Sequence, residues 1–368
     1  MPRVVTYRYI DPLTQVWVGT ARKIGLRVIR TTDAYAATDG AGTLSIGSNE
    51  TLDRDDSLAQ MIFHELCHSL VEGEESFRRP DWGMDNTGPD HDWREHACLR
   101  VQWVLTGRYG LRVLFAPTTD FRTSFWDRLS DSGSDVLEDR TERSPNGAID
   151  VLADRTDRSV IAAITALRRA DHPPWGPHLA AALEATARIA REAAALSTEP
   201  DILWSGVAAA PAPHPSGLPA STAASTATAS CAACAWRYEQ RGISRCRQAS
   251  DAKIDPAWPA CERFEAATAV DCQTCGACCR AAYHSVEVQK RDPVVKKQPD
   301  YIVDRGTYLE VRRDGDRCAA LKGGDFVESD KLTRFHCAIY DDRPRTCRDF
   351  TLGSAHCLTA RRRVGLSL

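Results

Sequence analysis

The sequence contains no run of eighteen consecutive apolar residues, and it therefore predicts no transmembrane helix. Its beginning, MPRVVTYRYIDPLTQVW, lacks the apolar stretch of a secretory signal peptide. We therefore expect a cytoplasmic protein without membrane contact. No internal repeat of the solenoid type is present, which excludes a stacked-repeat fold.

A strong excess of charge of either sign is also absent, because the formal net charge at pH 7 is −3. The part after Ser230 has 24 basic and 19 acidic residues, and the preceding part has 23 and 31. The mild basic excess would allow nucleic-acid binding, but the thiolates of metal-bound cysteines would cancel it. The composition therefore does not favour a nucleic-acid partner, whereas a protein or peptide substrate is compatible with it.

A chain of 368 residues suits two or three domains. Residues 208–230, AAAPAPHPSGLPASTAASTATAS, are rich in Ala, Pro, Ser and Thr and cannot bury a core, which predicts a flexible linker. We assign no role to His214 within it. The expected organisation is an N-terminal domain over 1–205, a linker over 206–230 and a cysteine-rich region over 231–368.

The N-terminal domain is expected to combine a small sheet with several helices. Apolar and polar residues alternate over 4–30, which favours strands, and 40–47 predicts a turn with a short strand. Residues Leu58, Met61, Ile62 and Leu66 have helical spacing, and Gly73 suits the end of that helix. Further helices are predicted over 93–107, 158–170 and 177–196.

The first of these helices carries the sequence His64-Glu65-Leu66-Cys67-His68, an H-E-x-x-H motif. Two histidines four residues apart lie on one helix face, so both imidazoles can bind one zinc ion. Zinc lowers the pKa of a water molecule that it binds, and Glu65 is placed to accept the proton. The motif, in an amphipathic helix after a short strand, resembles the zincin metallopeptidases.

This resemblance implies a third zinc ligand from the following helix. Three residues in or just before that helix are candidates. Glu95 matches the branch in which a glutamate completes the site, and His96 and His91 are alternatives. Asp92 and Glu95 also have capping-box spacing, so Glu95 can instead serve only to cap its helix. Cys67 and Cys98 are interpreted as buried small side chains, with a regulatory thiol beside the metal as the alternative.

Fourteen cysteines in a long chain that is expected to be cytoplasmic indicate metal binding rather than disulfides. The first cluster, over 231–265, has the count of a closed four-thiolate site for zinc or an iron–sulfur cluster. Its candidate ligands are Cys231, Cys234, Cys246 and Cys261.

The second cluster extends from Cys272 to Cys357 and begins with CQTCGACC. Adjacent cysteines rarely bind one ion, so Cys278 and Cys279 can serve two different metals, and eight thiolates can close two four-ligand sites. Arg345 and Arg348 are candidate hydrogen-bond donors to sulfur, and the histidines beside cysteines are not needed as ligands. The candidate ligands are Cys272, Cys275, Cys278, Cys279, Cys318, Cys337, Cys347 and Cys357.

This second cluster resembles the CxxCxxCC family of zinc- or iron-chelating domains. The resemblance is carried by CQTCGACC and by HCAIYDDRPRTCRDF, which begins at His336. It implies metal binding and no particular reaction. The expected fold class is therefore α+β, with a zincin-like domain, a linker and an irregular cysteine-rich metal-binding domain.

Two functions follow as hypotheses. The first is a zinc-dependent, peptidase-like hydrolase fused to a zinc- or iron-chelating cysteine-cluster domain. The second is an iron–sulfur or metal-handling protein, active in electron transfer or protein modification, in which the H-E-x-x-H domain is not a peptidase.

Overall fold

The computed structural model describes residues 10–84, 92–118, 120–129, 152, 154–197, 207–221, 226, 228–281, 283–327 and 330–368. Contacts within the chain define two compact units. We call Met1–Ile149 with Ala166–Pro211 the N-terminal unit, and Asp150–Thr165 with Ala212–Leu368 the C-terminal unit. The domain boundaries at 205 and 230 stay predictions.

The N-terminal unit combines helices with one small sheet, in agreement with the α+β prediction. Its helices are α1 (Pro12–Ile24), α2 (Leu58–Glu72), α3 (Asp92–Gly107), α4 (Asp120–Leu129) and α6 (His178–Leu196), and α5 (Arg158–Arg169) contributes to both units. The strands are β1 (Arg27–Thr31), β2 (Ala36–Thr38) and β3 (Thr43–Gly47). β3 lies between the other two, parallel to β1 and antiparallel to β2. Among the described helices, none has the length and apolar character that a membrane span requires.

The strand prediction for 4–30 is wrong over α1. Asp11 caps this helix through its side chain, Pro12 occupies the first turn, and Gly25 ends it in the left-handed region. Trp17, Ala21 and Ile24 form the buried helical face, although the local sequence also alternates. Residues 1–9 lie outside the described part of the chain.

The predicted helix with the two histidines is confirmed as α2. Ser57 caps it through a capping box with Gln60, in which each side chain bonds the other's backbone N–H. Phe63 packs against Trp17 and Phe115, with ring centroids 5.0 and 4.9 Å apart. This aromatic cluster fixes α2 beside α1 and supports the residues next to Phe63 in sequence.

The C-terminal unit consists of short elements. The strands are β4 (Arg237–Gln240), β5 (Ile243–Cys246), β6 (Ala252–Lys253), β7 (Glu287–Val288), β8 (Ile302–Asp304), β9 (Leu309–Val311), β10 (Arg313–Asp314), β11 (Arg317–Cys318), β12 (Leu321–Lys322) and β13 (His336–Cys337). They form two antiparallel sheets with the orders β4-β5-β6 and β7-β9-β8, and two further pairs, β10-β11 and β12-β13. The helices are α7 (Cys272–Cys275), α8 (Pro293–Lys297), α9 (Arg345–Arg348) and α10 (Ala355–Arg363).

A buried polar network links the two ends of this unit. Glu265 accepts a hydrogen bond from the Trp236 indole at 3.0 Å and forms an ion pair with Arg361 at 2.5 Å. Trp236, Glu265 and Arg361 are all at most 7 % exposed. Because each buried polar group has a partner, the network specifies how α10 packs without leaving an isolated charge.

Candidate metal centres

The side chains of His64 and His68 meet on the buried face of α2. Their Nε2 atoms lie 3.1 Å apart, and the rings are nearly perpendicular. Two ligands at zinc-bonding distances of about 2.0–2.1 Å in a tetrahedron lie roughly 3.3 Å from each other. The spacing of the two nitrogen atoms therefore fits one zinc ion.

Of the three candidates for the third ligand, Glu95 lies beside these histidines. Its Oε1 is 3.3 Å from Nε2 of His68, and its Oε2 is 3.8 Å from Nε2 of His64. His96 instead stacks on Phe125, with centroids 4.0 Å apart and an interplanar angle of 9°. His91 lies outside the described residues.

Gln102 on α3 determines which nitrogen atom of His64 can bind a metal. Its Nε2 donates to the Phe115 carbonyl at 2.5 Å, which directs its Oε1 to Nδ1 of His64 at 3.1 Å. Nδ1 of His64 therefore carries the proton, and Nε2 presents its lone pair to His68 and Glu95. The sequence analysis did not identify Gln102, because the contact depends on how α2 and α3 pack.

Cys98 also approaches this site. Its Sγ lies 3.7 Å from Nδ1 of His64, and the ligand atoms of His64, His68 and Cys98 lie within 4.8 Å of one another. Burial raises the pKa of Cys98 to about 12, and a hydrogen bond with Cys67 acts in the same direction. Both cysteines are fully buried, as the packing interpretation predicts.

Glu65 is held by a tryptophan from outside the motif. Its Oε2 accepts a hydrogen bond from Trp82 Nε1 at 2.8 Å, and both residues are buried. Asp81 and Trp82 adopt left-handed backbone conformations, with φ of 47° and 58°. Such strain in non-glycine residues persists where the surroundings stabilise it, here through hydrogen bonds from Thr38 to Asp81 and from Trp82 to Thr38.

All fourteen cysteines lie in the described part of the chain, and all are free thiols. The first four of the C-terminal unit line one pocket together. We call them the Cys231 group, and its members are Cys231, Cys234, Cys246 and Cys261.

A second set of thiols surrounds the first turns after Val270. Burial is the main cause that raises the pKa of Cys278 to about 12. The next largest contributions come from nearby sulfur atoms, those of Cys275, Cys357 and Cys272. Cys357 on α10 therefore lies near Cys272 and Cys275 on α7. The packing of α10 against the turn Ala277–Cys279 agrees with this. We call this set the Cys272 group, and its members are Cys272, Cys275, Cys278 and Cys357.

The third set is assembled around Cys279 from distant elements. Burial is the main reason why the pKa of Cys279 is raised. The nearby sulfur atoms of Cys318 and Cys347, and after them those of Cys278 and Cys337, raise it further. Burial, followed by the sulfur atoms of Cys318 and Cys337, raises the pKa of Cys347 to about 12. We call this set the Cys279 group, and its members are Cys279, Cys318, Cys337 and Cys347.

Packing separates the two adjacent cysteines in the same way. Cys278 packs against the buried cluster that contains Cys275, whereas Cys279 packs against the one that contains Cys318. Because the side chains of Cys278 and Cys279 point to different clusters, the two sulfur atoms cannot both face one ion. The eight thiols therefore form two groups of four.

Arginines accompany both groups, although not those that the sequence analysis selected. Arg345 pairs with Asp349 and Arg348 with Asp292. Arg361 forms a hydrogen bond with Cys275, and the charge of Arg343 lowers the pKa of Cys347 against the larger effect of burial. The histidines that neighbour these cysteines in sequence are all exposed, namely His284, His336 and His356.

Comparison with known families indicates metal binding for the region that contains the Cys272 and Cys279 groups. Residues 271–362 match the CxxCxxCC family, described as "Putative zinc- or iron-chelating domain". This span contains all eight cysteines of the Cys272 and Cys279 groups, as the resemblance predicted. This part of the chain is thus similar to the family, and the match covers less than half of the chain's length.

No significant match was found among curated proteins or among solved structures. The family match does not extend to the N-terminal unit. The comparisons therefore give no support to the zincin resemblance, which stays a prediction.

Proposed function

We propose that the protein is a zinc-dependent, peptidase-like hydrolase fused to its metal-chelating cysteine domain. The observation that carries this proposal is the convergence of the His64 and His68 Nε2 atoms with the Glu95 carboxylate. Two imidazoles and one carboxylate are a ligand set of catalytic zinc sites, which keep a fourth position open. The cysteine groups would hold zinc or iron.

The residues of α2 and α3 would have two different roles at this site, namely zinc binding and proton transfer. His64, His68 and Glu95 would hold the zinc ion, which supplies Lewis-acid activation of water and of a carbonyl group. Glu65 would accept the proton of the attacking water and return it to the leaving amine, so that one water converts an amide into an acid and an amine. Trp82 holds the Glu65 carboxylate through the 2.8 Å hydrogen bond and fixes its orientation.

Substitution of a ligand tests whether the N-terminal centre exists. We expect His68→Ala to lower the zinc content of the full-length chain by one equivalent, because the remaining ligands cannot retain the ion. The measurement is elemental analysis of wild type and variant purified in parallel. The exposed His172 provides the matched control, since His172→Ala removes an imidazole of the same unit without touching α2. Unchanged zinc content in the His68 variant would reject the centre.

Gln102 should act on the metal without binding it. Gln102→Leu removes the acceptor for Nδ1 of His64 and frees the imidazole to adopt the wrong tautomer. Loss of such an outer partner typically weakens metal affinity by about 10–100-fold. We expect zinc affinity at this centre to decrease by that amount, measured by competition with a chromophoric chelator. Equal affinities in the variant and the wild type would contradict this role.

A second candidate function rests on the adjacent residues Cys278 and Cys279. They belong to different four-thiol groups, so two centres would be joined by a single peptide bond. Paired centres are suited to electron transfer or metal handling if they contain iron. In this case the cysteine domain, rather than the N-terminal unit, would carry the activity.

A further inference from the structure

The Cys231 group lies outside the residues that match the CxxCxxCC family, and it is built by a compact local fold. Cys231 and Cys234 flank a tight turn in which the Cys234 N–H donates to the Cys231 carbonyl at 3.2 Å. The chain continues into β4, reverses at Arg241 and Gly242 with φ of 52° and 73°, and returns along β5. This hairpin places Cys246 opposite Arg237, next to the turn.

A later loop places Cys261 next to the other three cysteines of the group. Isolated bridges pair Ser230 with Pro259 and Ala220 with Cys261, and the Ala260 N–H donates to the Ala229 carbonyl at 2.9 Å. All four cysteines of the group line one pocket. Three of them are 7 % exposed.

The pocket suits thiolates that are held by a cation. Three of the four side chains are almost fully buried, so negative charge on their sulfur atoms must be balanced inside the pocket. A divalent metal provides this balance, because it replaces the thiol protons and makes thiolates the stable form.

His214, which the sequence places within the predicted linker, is buried against this group and is only 4 % exposed. A turn holds it, in which the His214 N–H donates to the Leu218 carbonyl and Gly217 adopts a φ of 80°. Its Nδ1 accepts a hydrogen bond from the Ser216 N–H at 3.1 Å, so Nε2 carries the proton. Nε2 lies 2.8 Å from the Pro259 carbonyl and 3.8 Å from Cys231 Sγ.

We propose that the Cys231 group binds one structural zinc ion, and that His214 is a positioning residue whose Nε2–H donates to the Pro259 carbonyl and holds the loop of Cys261 beside Cys231. Four thiolates close the coordination shell and leave no position for a substrate, so the site stabilises the fold and has no catalytic step. His214 acts through Pro259, which precedes Cys261 by two residues, as outer partners do when they orient a metal ligand. The histidine also ties residues 212–220 to the zinc-binding loops.

This inference is independent of the proposed hydrolase, since it concerns other residues in the other unit. The first experiment uses the wild-type full-length chain, treated with N-ethylmaleimide with and without a zinc chelator. Modified cysteines are located by peptide mass spectrometry. We expect the Cys231 group to be protected without chelator and to become alkylated together with it. Alkylation at rates that do not depend on the chelator would overturn the zinc site.

The identity of the metal is tested by substitution on one loop. Cys261→Ser should remove one zinc equivalent per chain, by elemental analysis. Ser244→Ala is the matched control, because Ser244 is buried on β5 of the same hairpin and is not a ligand. Loss of iron in place of zinc from the Cys261 variant would overturn the assignment.

Two substitutions test whether His214 acts as a hydrogen-bond donor or only fills space. His214→Ala should lower the zinc affinity of the group by about 10–100-fold. His214→Gln should restore much of it, because the glutamine amide can donate from a position similar to Nε2. The readout is the chelator concentration at which half of the Cys231 group is alkylated. Equal values for the two variants, or no change in either, would overturn the role of His214.

Discussion

Glu65→Gln is expected to leave zinc bound in the N-terminal unit and to lower hydrolytic turnover by about 10²–10⁴-fold, the usual contribution of a general base. Glutamine has the size of glutamate, and its amide oxygen can still accept the hydrogen bond from Trp82. It cannot accept a proton from water. The substitution therefore removes the proposed chemistry while it retains the shape of the site.

The measurement combines zinc content with kcat on a library of internally quenched peptides. Glu75→Gln is the control, because Glu75 lies in the same unit and its side chain is exposed at 72 %. Turnover by the Glu65 variant at the wild-type rate would reject Glu65 as the base. A wild-type protein that holds zinc and cleaves no peptide would reject the peptidase-like activity itself.

Cys278→Ser and Cys279→Ser are expected to disrupt two different metal centres, although the residues are neighbours in sequence. The first variant removes a ligand from the Cys272 group, and the second from the Cys279 group. Alkylation with peptide mapping should therefore detect newly reactive thiols in one group only for each variant. The loss of one thiolate from a closed four-ligand site is expected to abolish tight binding there.

Each variant is the control for the other, because both replace one half-buried cysteine in the same turn. Reaction of all the remaining cysteines of both groups in either variant would show one shared centre and contradict the partition. Iron, acid-labile sulfide and visible absorption in anaerobically purified protein would identify iron–sulfur clusters and favour the second candidate function. Colourless protein with zinc alone would exclude that function for these centres.

Local signals in the sequence predicted much of the N-terminal unit. The apolar spacing after Leu58 and the terminal Gly73 predicted one helix, and α2 has those bounds, with Ser57 as its cap. The alternation over 4–30 failed because short apolar stretches can fit both periods, and the cap at Asp11 decided in favour of a helix. Agreement among several local signals is thus more informative than periodicity alone.

The sequence favoured Glu95 as the third ligand but could not exclude His96, because the two residues are adjacent on one helix. Consecutive helical residues point about 100° apart, and only the packing of α3 decides which of them faces α2. The stacking of His96 on Phe125 from α4 turns that residue away from the histidines of the motif.

The distribution of the eight later cysteines also depends on contacts between distant residues. Cys278 and Cys357 are far apart in the chain, and no spacing rule joins them. His214 was missed for a different reason. The composition of the stretch around it suggests a linker, and an average over the whole stretch does not reveal that this residue is buried. Its recognition required the turn at Gly217 and the loop at Pro259.

We infer that this chain is organised around bound metal ions, at the histidines of α2 and at the cysteines of the C-terminal unit. Elemental analysis of the full-length protein, purified without oxygen and shown to be folded by circular dichroism, tests it most directly. We expect zinc at the N-terminal centre and at the Cys231 group, and zinc or iron at the Cys272 and Cys279 groups. A folded protein that contains less than one metal ion per chain would contradict a fold organised around metal ions.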